Sequence, residues 1–499
     1  MNRWSIGTLS AVQIVLLAIS LIALNYLATR YFTRIDLSRG GDYTLSQATT
    51  RYLASPALSS RTKPVKWLMA FHRTAPFYDQ VRVLAEEYAH LSKGKIELEV
   101  LDALRSPDRT QQVMAAYKLS LAKDLIIIDA RTDDSAAVAA DKLGTNQLNP
   151  HVKLVVADDL VLHTTDSQGL RRPSGFQGED VLTASLVQAL EGRPRKMLFL
   201  ADKSRIDAEG ESSPWHTLDT TLRFQNTELK GVNLAGLADI PAEAEGVALV
   251  APKYDLTDEE LGVLERYWNR PRSALLILLE SGTALPKLKG FLRANGVTPR
   301  ADRVILKEKD RLITKARGTF TYGIDFIKDL AGKTSEFEGA SSSLEIRENA
   351  DDLLTRRIYP WALFQVDPGF WGETKFGDGK EAFDKIEDHA GPLFLAASVT
   401  RGDPADEKHA DEVSRMIVMA NTDFLKPANR RAENDDFLAC SVNWLMGREA
   451  LAGIGSRSLG IYRLPILEAQ VSFVNRVNWF FLPAFFILIG TIIWSSRRA

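Results

Sequence analysis

From residue 65 to residue 447, short runs that are apolar at nearly every position alternate with longer stretches whose apolar residues recur three and four apart. The first pattern predicts buried strands and the second amphipathic helices. "KWLMAF" (66–71) is one such run, and the helix after it carries Phe77, Val81, Leu84, Tyr88 and Leu91 on one face. "KIELEVLD" alternates with period two, a helix follows through "TQQVMAAY", and "DLIIIDA" completes a β-α-β-α-β order. That order implies a small layered α/β domain. "KLVVADDLVLH" and "GLRRP", joined by the turn-like "TTDSQG", predict an edge hairpin.

A second unit opens near residue 176. "FQGEDVLTASLVQALEG" turns Val181, Leu182, Leu186 and Leu190 inward and stops at Gly192. The runs "KMLFLA" (196–201), "GVALVAP" (246–252) and "ALLILLE" (274–280) are apolar along their length, and amphipathic helices separate them. One of these, "TDEELGVLERYW", has Thr257 and Glu260 at the spacing of a capping box. This predicts a parallel sheet covered on both faces, the doubly wound α/β arrangement. Residues 307–390 are charge-rich without clean periodicity and read as an insertion, after which "PLFLAASV", "RMIVMANTDFL" and the helix "FLACSVNWLMG" resume the pattern. The expected division is a transmembrane helix at 5–29, an N-terminal α/β domain with an edge hairpin at 35–175, and a second α/β domain at 176–306 and 391–447. The insertion at 307–390, a return segment at 448–475 and a transmembrane helix at 477–496 complete it.

The two terminal spans rest on charge. Between Arg3 and Arg30 lie 26 uncharged residues, and between Arg476 and Arg497 another 20. At about 1.5 Å per residue either reaches across a hydrocarbon core of about 30 Å. Trp4 and Tyr26 flank the first and Trp479 and Trp494 the second, where interfacial aromatics belong. No small-x-small cleavage site follows the first run. Gln13 and Pro483 are polar or backbone-freeing features at membrane depth and mark candidate contacts with other membrane helices. Arg497 and Arg498 favour a cytoplasmic C-terminus, so an even number of spans puts both termini in the cytoplasm and residues 35–475 outside it. A helix is expected at once after the first span: Thr44 and Gln47 have capping-box spacing, and Pro56 stops it.

Composition narrows the chemistry. The chain has 499 residues, 45% hydrophobic and 25% charged, with a formal net charge of -2, and no basic tract with interleaved aromatics, which argues against a nucleic-acid partner. Cys440 is the single cysteine, so neither an intrachain disulfide nor a thiolate metal cluster exists, and its place on an apolar helix face suits a small buried hydrophobe. The seven histidines show no paired ligand spacing, and no metal or other cofactor is expected. "GKT" at 332–334 is not a phosphate loop, because Ile327 stands where that motif needs glycine. "GIGSRSLG" (453–460) fits neither a dinucleotide fingerprint nor a nucleophile elbow. Doubly wound sheets bind ligands at the carboxyl ends of their strands. Those ends carry "ADKS", "APKY" and "ESGT", so Asp202, Lys203, Lys253 and Ser281 are the candidate ligand- or partner-binding residues, the alternative being loop residues that face water.

In order along the chain, "RIDLSRGGDYTLSQATTRYL", "VLDALRSPDR", "FQGEDVLTASLVQAL", "IPAEAEGVALVAPKYDLTDEELGVLERYW" and "RMIVMANTDFLKPANRRAENDDFLACSVNWLMGREALAGIGSR" resemble the GldG-like family of gliding-motility-type ABC-transporter auxiliary proteins. The resemblance implies an extracytoplasmic region with a glutamine-amidotransferase-like domain that lacks the amidotransferase nucleophile. It also implies association with an ABC ATPase and a multi-span permease in a bacterial inner membrane, with the large domain periplasmic. The chain departs from its relatives after the first strand of the second domain, where "ADKSRIDAEGE" replaces their "GHGE". No catalytic residue carries over. The favoured expectation is a non-enzymatic auxiliary subunit; a membrane-tethered receptor or enzyme using the crevice and a cell-envelope scaffold are the rivals, and homo-oligomerisation is left open.

Overall fold

The computed structural model describes residues 3–30, 44–75, 77–102, 105–119, 123–133, 137–140, 146–165, 171–206, 213–308, 311–377, 381–402, 412–448 and 483. The chain divides into two units, Met1–Arg457 and Ser458–Ala499, and every described element lies in the first. Helix α1 (Arg3–Arg30) covers the expected first span. The side chains described within it, residues 13–26, are exposed, and at about 1.5 Å per residue they reach about 21 Å of the roughly 30 Å of a hydrocarbon core. Among the described residues no helix is long and apolar enough to cross a membrane. The second expected span and the return segment lie outside the described residues, apart from Pro483 and Arg448.

Helix α2 (Gln47–Ala54) is capped by Ser46, not by Thr44: the Ser46 Oγ accepts from the Thr49 N–H at 3.1 Å. The cap lies two residues later because the first helical turn begins at Gln47. Pro56 ends α2 and also occupies the first position of α3 (Pro56–Ser59), where its missing N–H costs nothing.

The first sheet has the order β2-β1-β3-β6, from β1 (Val65–Ala70), β2 (Ile96–Leu101), β3 (Leu125–Asp129) and β6 (Val152–Val156), with β4 (Val138–Ala140) and β5 (Asn146–Leu148) paired beside it. β1 and β2 are parallel and the other pairs antiparallel. Trp67, Ile126 and Ile128 point to the face covered by α4 (Tyr78–Leu91), while Leu68, Ile127 and Leu101 meet α5 (Pro107–Tyr117) on the other. The expected hairpin separates into two features. β6 is the edge strand of this sheet, and β7 (Val161–Thr165) with β8 (Arg171–Phe176) forms a ribbon of its own.

α6 (Gly178–Glu191), expected to open the second domain, instead completes the first: Val181, Leu182 and Leu186 share a core with Trp67 and Tyr88. The boundary at residue 176 is therefore too early, because this helix packs beside α4 on the same face of the first sheet.

The second sheet runs β10-β9-β11-β12-β22-β21-β19-β16-β17. Its strands are β9 (Arg195–Leu200), β10 (Thr227–Val232), β11 (Gly246–Val250), β12 (Ala274–Leu278), β16 (Ala316–Phe320), β17 (Thr334–Phe337), β19 (Ile358–Val366), β21 (Phe394–Arg401) and β22 (Ser414–Met419). β13 (Val297–Pro299) pairs β18 (Leu344–Ile346), which touches β21, and β14 (Arg303–Glu308) pairs both β15 (Arg311–Ile313) and β20 (Trp371–Glu373). The five strands from β10 to β22 are parallel and the four beyond them antiparallel. Successive residues alternate between faces. Phe199, Val250, Leu276 and Met419 meet α7 (Pro214–Phe224) and α11 (Ala432–Leu445), while Leu198, Leu249, Ile277 and Val418 meet α8 (Asp258–Trp268) and α9 (Pro286–Ala294). Cys440 is buried in α11.

Residues 307–390 are not a separate insertion. β16, β17 and β19 extend the same sheet, and Phe320, Phe337 and Phe364 lie in the core that holds Phe199. In β16 and β17 the charged Arg317 and Glu336 stand between buried positions, so neither run is apolar throughout. The short α10 (Asp351–Thr355) packs Leu353 on the opposite face. Arg448 ties the layers together: it is buried, pairs with Glu191 of α6 at 2.7 Å, and donates to the carbonyls of Gln225 and Asn226.

Candidate functional site

In open sheets of parallel strands, ligands bind beyond the carboxyl ends, where the strand order reverses. That point lies between β9 and β11, since α7 covers one face and α8 the other. Three of the four sequence-predicted residues are here, and each is engaged within the protein. The Asp202 carboxylate accepts from the N–H groups of Leu234 at 2.8 Å and Ala235 at 3.0 Å, fastening the segment after β10. Lys203 is buried, with its Nζ 2.6 Å from Glu260 Oε1 in the first turn of α8. The other Glu260 oxygen accepts from the Thr257 N–H at 2.8 Å, completing the capping box. Burial pushes the Glu260 carboxyl up, but the Lys203 ammonium and the Thr257 N–H outweigh it and hold the group below its ordinary value.

The Lys253 N–H donates to the Lys203 carbonyl at 2.8 Å, Ser204 and Pro252 form a β-bridge, and the exposed Lys253 ammonium lies 5.8 Å from the Tyr254 ring centroid. The two loops are thus sewn to each other.

Ser281 belongs elsewhere. It lines a cavity of about 580 Å³ at the carboxyl ends of β12 and β22, bounded by the loop into α9, the link from β13 to β14, and β20. Gly282, with φ of +82°, supplies a backbone turn in that loop that a side chain would strain. The Ser342 Oγ donates to the Asp302 carbonyl at 2.7 Å and lies 2.8 Å from Ser281 Oγ.

The Asp302 side chain is fully buried and accepts from the Ser343 N–H at 2.7 Å, the Ser343 Oγ at 2.5 Å and the His389 Nδ1 at 2.8 Å. β20 runs directly over this carboxylate: a Cβ on Gly372 would come within 2.1 Å of Asp302 Oδ2, so only glycine fits. An acid holding a histidine in one tautomer is half of a general-base device. Among the described residues, however, nothing hydrogen-bonds to the Nε2 of His389.

The cavity walls hold both signs of charge. Glu280 is 3.1 Å from Arg205, and Glu373 accepts from the Trp371 Nε1 and the Lys375 N–H at 3.1 Å each. Lys289, Arg300 and Arg303 have no ion-pair partner among the described residues, and the Arg303 guanidinium lies over Phe376, 3.9 Å from its centroid. Sequence reasoning found Ser281 because it follows an apolar run. It missed Asp302, Arg303 and His389, since Asp302 and His389 stand 87 residues apart and meet only when β20 folds back on β14.

Gln13 is exposed on α1, and Pro483 is helical and exposed. Among the described residues no group of three His, Cys, Asp or Glu side chains is placed to hold a metal ion.

No family model matches the chain, and no curated protein matches it. Among solved structures, the N-terminal domain of mmIFT52 is similar at 12% identity, covering 50% of this chain and 96% of its own, with a TM-score of 0.35. A ThuA-like protein from Bacteroides uniformis is similar at 10% identity, over 52% of this chain and 93% of its own, with a TM-score of 0.28. The exo-β-1,4-mannosidase Op5Man5 from Opitutaceae bacterium strain TAV5 shares 11% identity over 75% of this chain and 51% of its own, with a TM-score of 0.26. Scores this low carry no argument about function.

Proposed function

We propose that this chain is a non-enzymatic, membrane-anchored auxiliary subunit of an ABC transporter complex in a bacterial inner membrane. Its doubly wound, amidotransferase-like body stands outside the cytoplasm and works on a multi-span permease and its ATPase as a brace, a gate or a carrier of ligand. The reading is supported chiefly by the crevice between β9 and β11, where an enzyme or receptor of this architecture keeps its reactive groups. Here Asp202 and Lys203 are tied into backbone and Glu260 contacts instead. The ordered resemblance to GldG-like proteins and the long uncharged runs at both ends support the partners and the anchoring. Two anchors on one membrane raise the body's effective concentration at a partner in that membrane.

The test is purification of the tagged full chain from native membranes in mild detergent. An ABC ATPase and a permease that co-purify in fixed ratio support the assignment, and isolation of the chain alone overturns it. A tethered receptor is the second reading, favoured by three cations at the cavity beyond β12 that have no ion-pair partner among the described residues.

A further inference from the structure

The cavity beyond β12 has an imbalance that points to its occupant. Each of its acids has a neighbour: Glu280 lies 3.1 Å from Arg205, though its Oε2 is buried without a hydrogen bond, Asp302 accepts from Ser343 and His389, and Glu373 accepts from Trp371 and the Lys375 N–H. Among the described residues Lys289, Arg300 and Arg303 have no ion-pair partner, and the Arg303 Nε is buried without a hydrogen bond.

Arg303 is half-buried, and a guanidinium N–H buried without an acceptor is unfavourable unless something supplies one. Arg303 reaches that position through its place at the start of β14, opposite Glu373 of β20 in register, yet the Glu373 carboxylate turns to Trp371 instead of pairing across the strands. Phe376 lies against the guanidinium at 3.9 Å and restricts its orientation before any ligand arrives. A planar, oriented guanidinium matches a head group with two or more equivalent oxygens, because two parallel N–H groups then donate together.

The rest of the wall is mostly apolar, through Leu285, Leu288 and Leu292 on the α9 side and Pro299 opposite them. At about 580 Å³ the space falls within the range of small-molecule sites. The N-terminus of α9 is not the attraction, since the Asp255 carboxylate already accepts from the Lys287 and Leu288 N–H groups at 2.7 and 3.1 Å.

We propose that this cavity binds a small organic anion, a carboxylate or phosphate head on a compact apolar body. The head accepts from Arg303 and Arg300, the body lies against the leucines of α9, and Lys289 adds positive potential at the mouth. The proposal is independent of the transporter assignment: binding is read on the purified chain, whereas co-purification reads the assignment.

The experiment is isothermal titration of the full chain in lipid nanodiscs with four probes: hydrocinnamate, phenyl phosphate, inorganic phosphate and phenethylamine. Saturable binding of hydrocinnamate or phenyl phosphate, at least about tenfold tighter than phenethylamine, supports the site. Phenethylamine binding as tightly as the anions, or no saturable binding of either aromatic anion, overturns it. Inorganic phosphate binding as tightly as phenyl phosphate overturns the role given to the apolar wall.

Arg303→Met keeps the stem against Phe376 and removes the fork, so the aromatic anion is expected to bind at least about tenfold more weakly. Arg303→Lys, which keeps the charge without the fork, is expected to recover only part of the loss. Lys289→Met, on the exposed face of α9, is expected to weaken binding about two- to fivefold and serves if Arg303→Met does not fold. Unchanged affinity in folded Arg303→Met, or in Lys289→Met where that variant stands in for it, overturns the proposal.

Discussion

Two carboxyl-end regions of one sheet have opposite fates. Beyond β9 and β11 Asp202 is tied to backbone N–H groups, Lys203 to Glu260, and the two loops to each other. Beyond β12 and β22 each acid has a neighbour, Lys289, Arg300 and Arg303 have no ion-pair partner among the described residues, and a cavity of about 580 Å³ remains. The difference follows from what arrives over each end. Over the first, two loops from neighbouring parallel strands meet and bridge at Ser204 and Pro252. Over the second, β14 and β20 arrive from far along the chain and cover the buried Asp302 without filling the space beside it. The reversal point of a parallel sheet is thus a place where a site can form, and where a cavity is left depends on what packs above each strand end.

The largest test of the contrast is Lys203→Met. Removing the ammonium leaves Glu260 as a buried, unpaired carboxylate, with an expected loss of about 3–5 kcal/mol in urea denaturation of the full chain. Lys203→Met with Glu260→Met should recover most of it, and a single-variant loss under about 1 kcal/mol would show that the crevice is not locked by this pair.

The same pair sets an acid limit. Because the Glu260 carboxyl sits below its ordinary 4.5, its contribution is complete above that pH and fades as pH falls through the lowered value. In melting experiments Glu260→Gln should therefore flatten the fall in stability below about pH 4.5. An acid outside both regions has the reverse sign. Burial pushes Asp436 in α11 up to about 7 from 3.8, with Lys333 opposing and Asp435 and Glu433 adding to it. Its folded form holds the proton more tightly, so stability declines as pH rises from about 4 to 7, and Asp436→Asn should be worth about 1–2 kcal/mol at pH 8 and little at pH 4.

Asp202→Ala unfastens the Leu234 and Ala235 N–H groups and should cost about 1–2 kcal/mol. In the open region, Arg303→Met should change stability by less than about 1 kcal/mol, or raise it, since no ion pair is lost. A loss above about 2 kcal/mol would make Arg303 a structural residue and erase the contrast. Smallest of all, Lys253→Ala should stay within about 0.5 kcal/mol, because its side chain is exposed and only its backbone is engaged.

β9, β11 and β12 could be read from the chain because a strand covered on both faces is apolar along its length, a pattern that needs no partner to be seen. The capping box of α8 was equally visible, being local. Its second use was not: Glu260 as the partner of Lys203 depends on a contact across 57 positions. The boundary at 176 failed because amphipathic periodicity shows that a helix has an apolar face and not which sheet that face will cover. The stretch 307–390 looked like an insertion because its short strands β16 and β17 each carry a charge, Arg317 and Glu336, between buried positions, and charge-rich segments separate them from β19.

By itself, then, the sequence determined the α/β class, the apolar strands at the centre of the large sheet and the helices that flank them, since these rest on local periodicity and propensity. Only the tertiary structure decided which carboxyl end ties its charged residues together and which borders a cavity. That outcome turns on charge pairs and strand crossings between residues tens of positions apart, and one residue's neighbours in the chain carry no information about what will be folded above it.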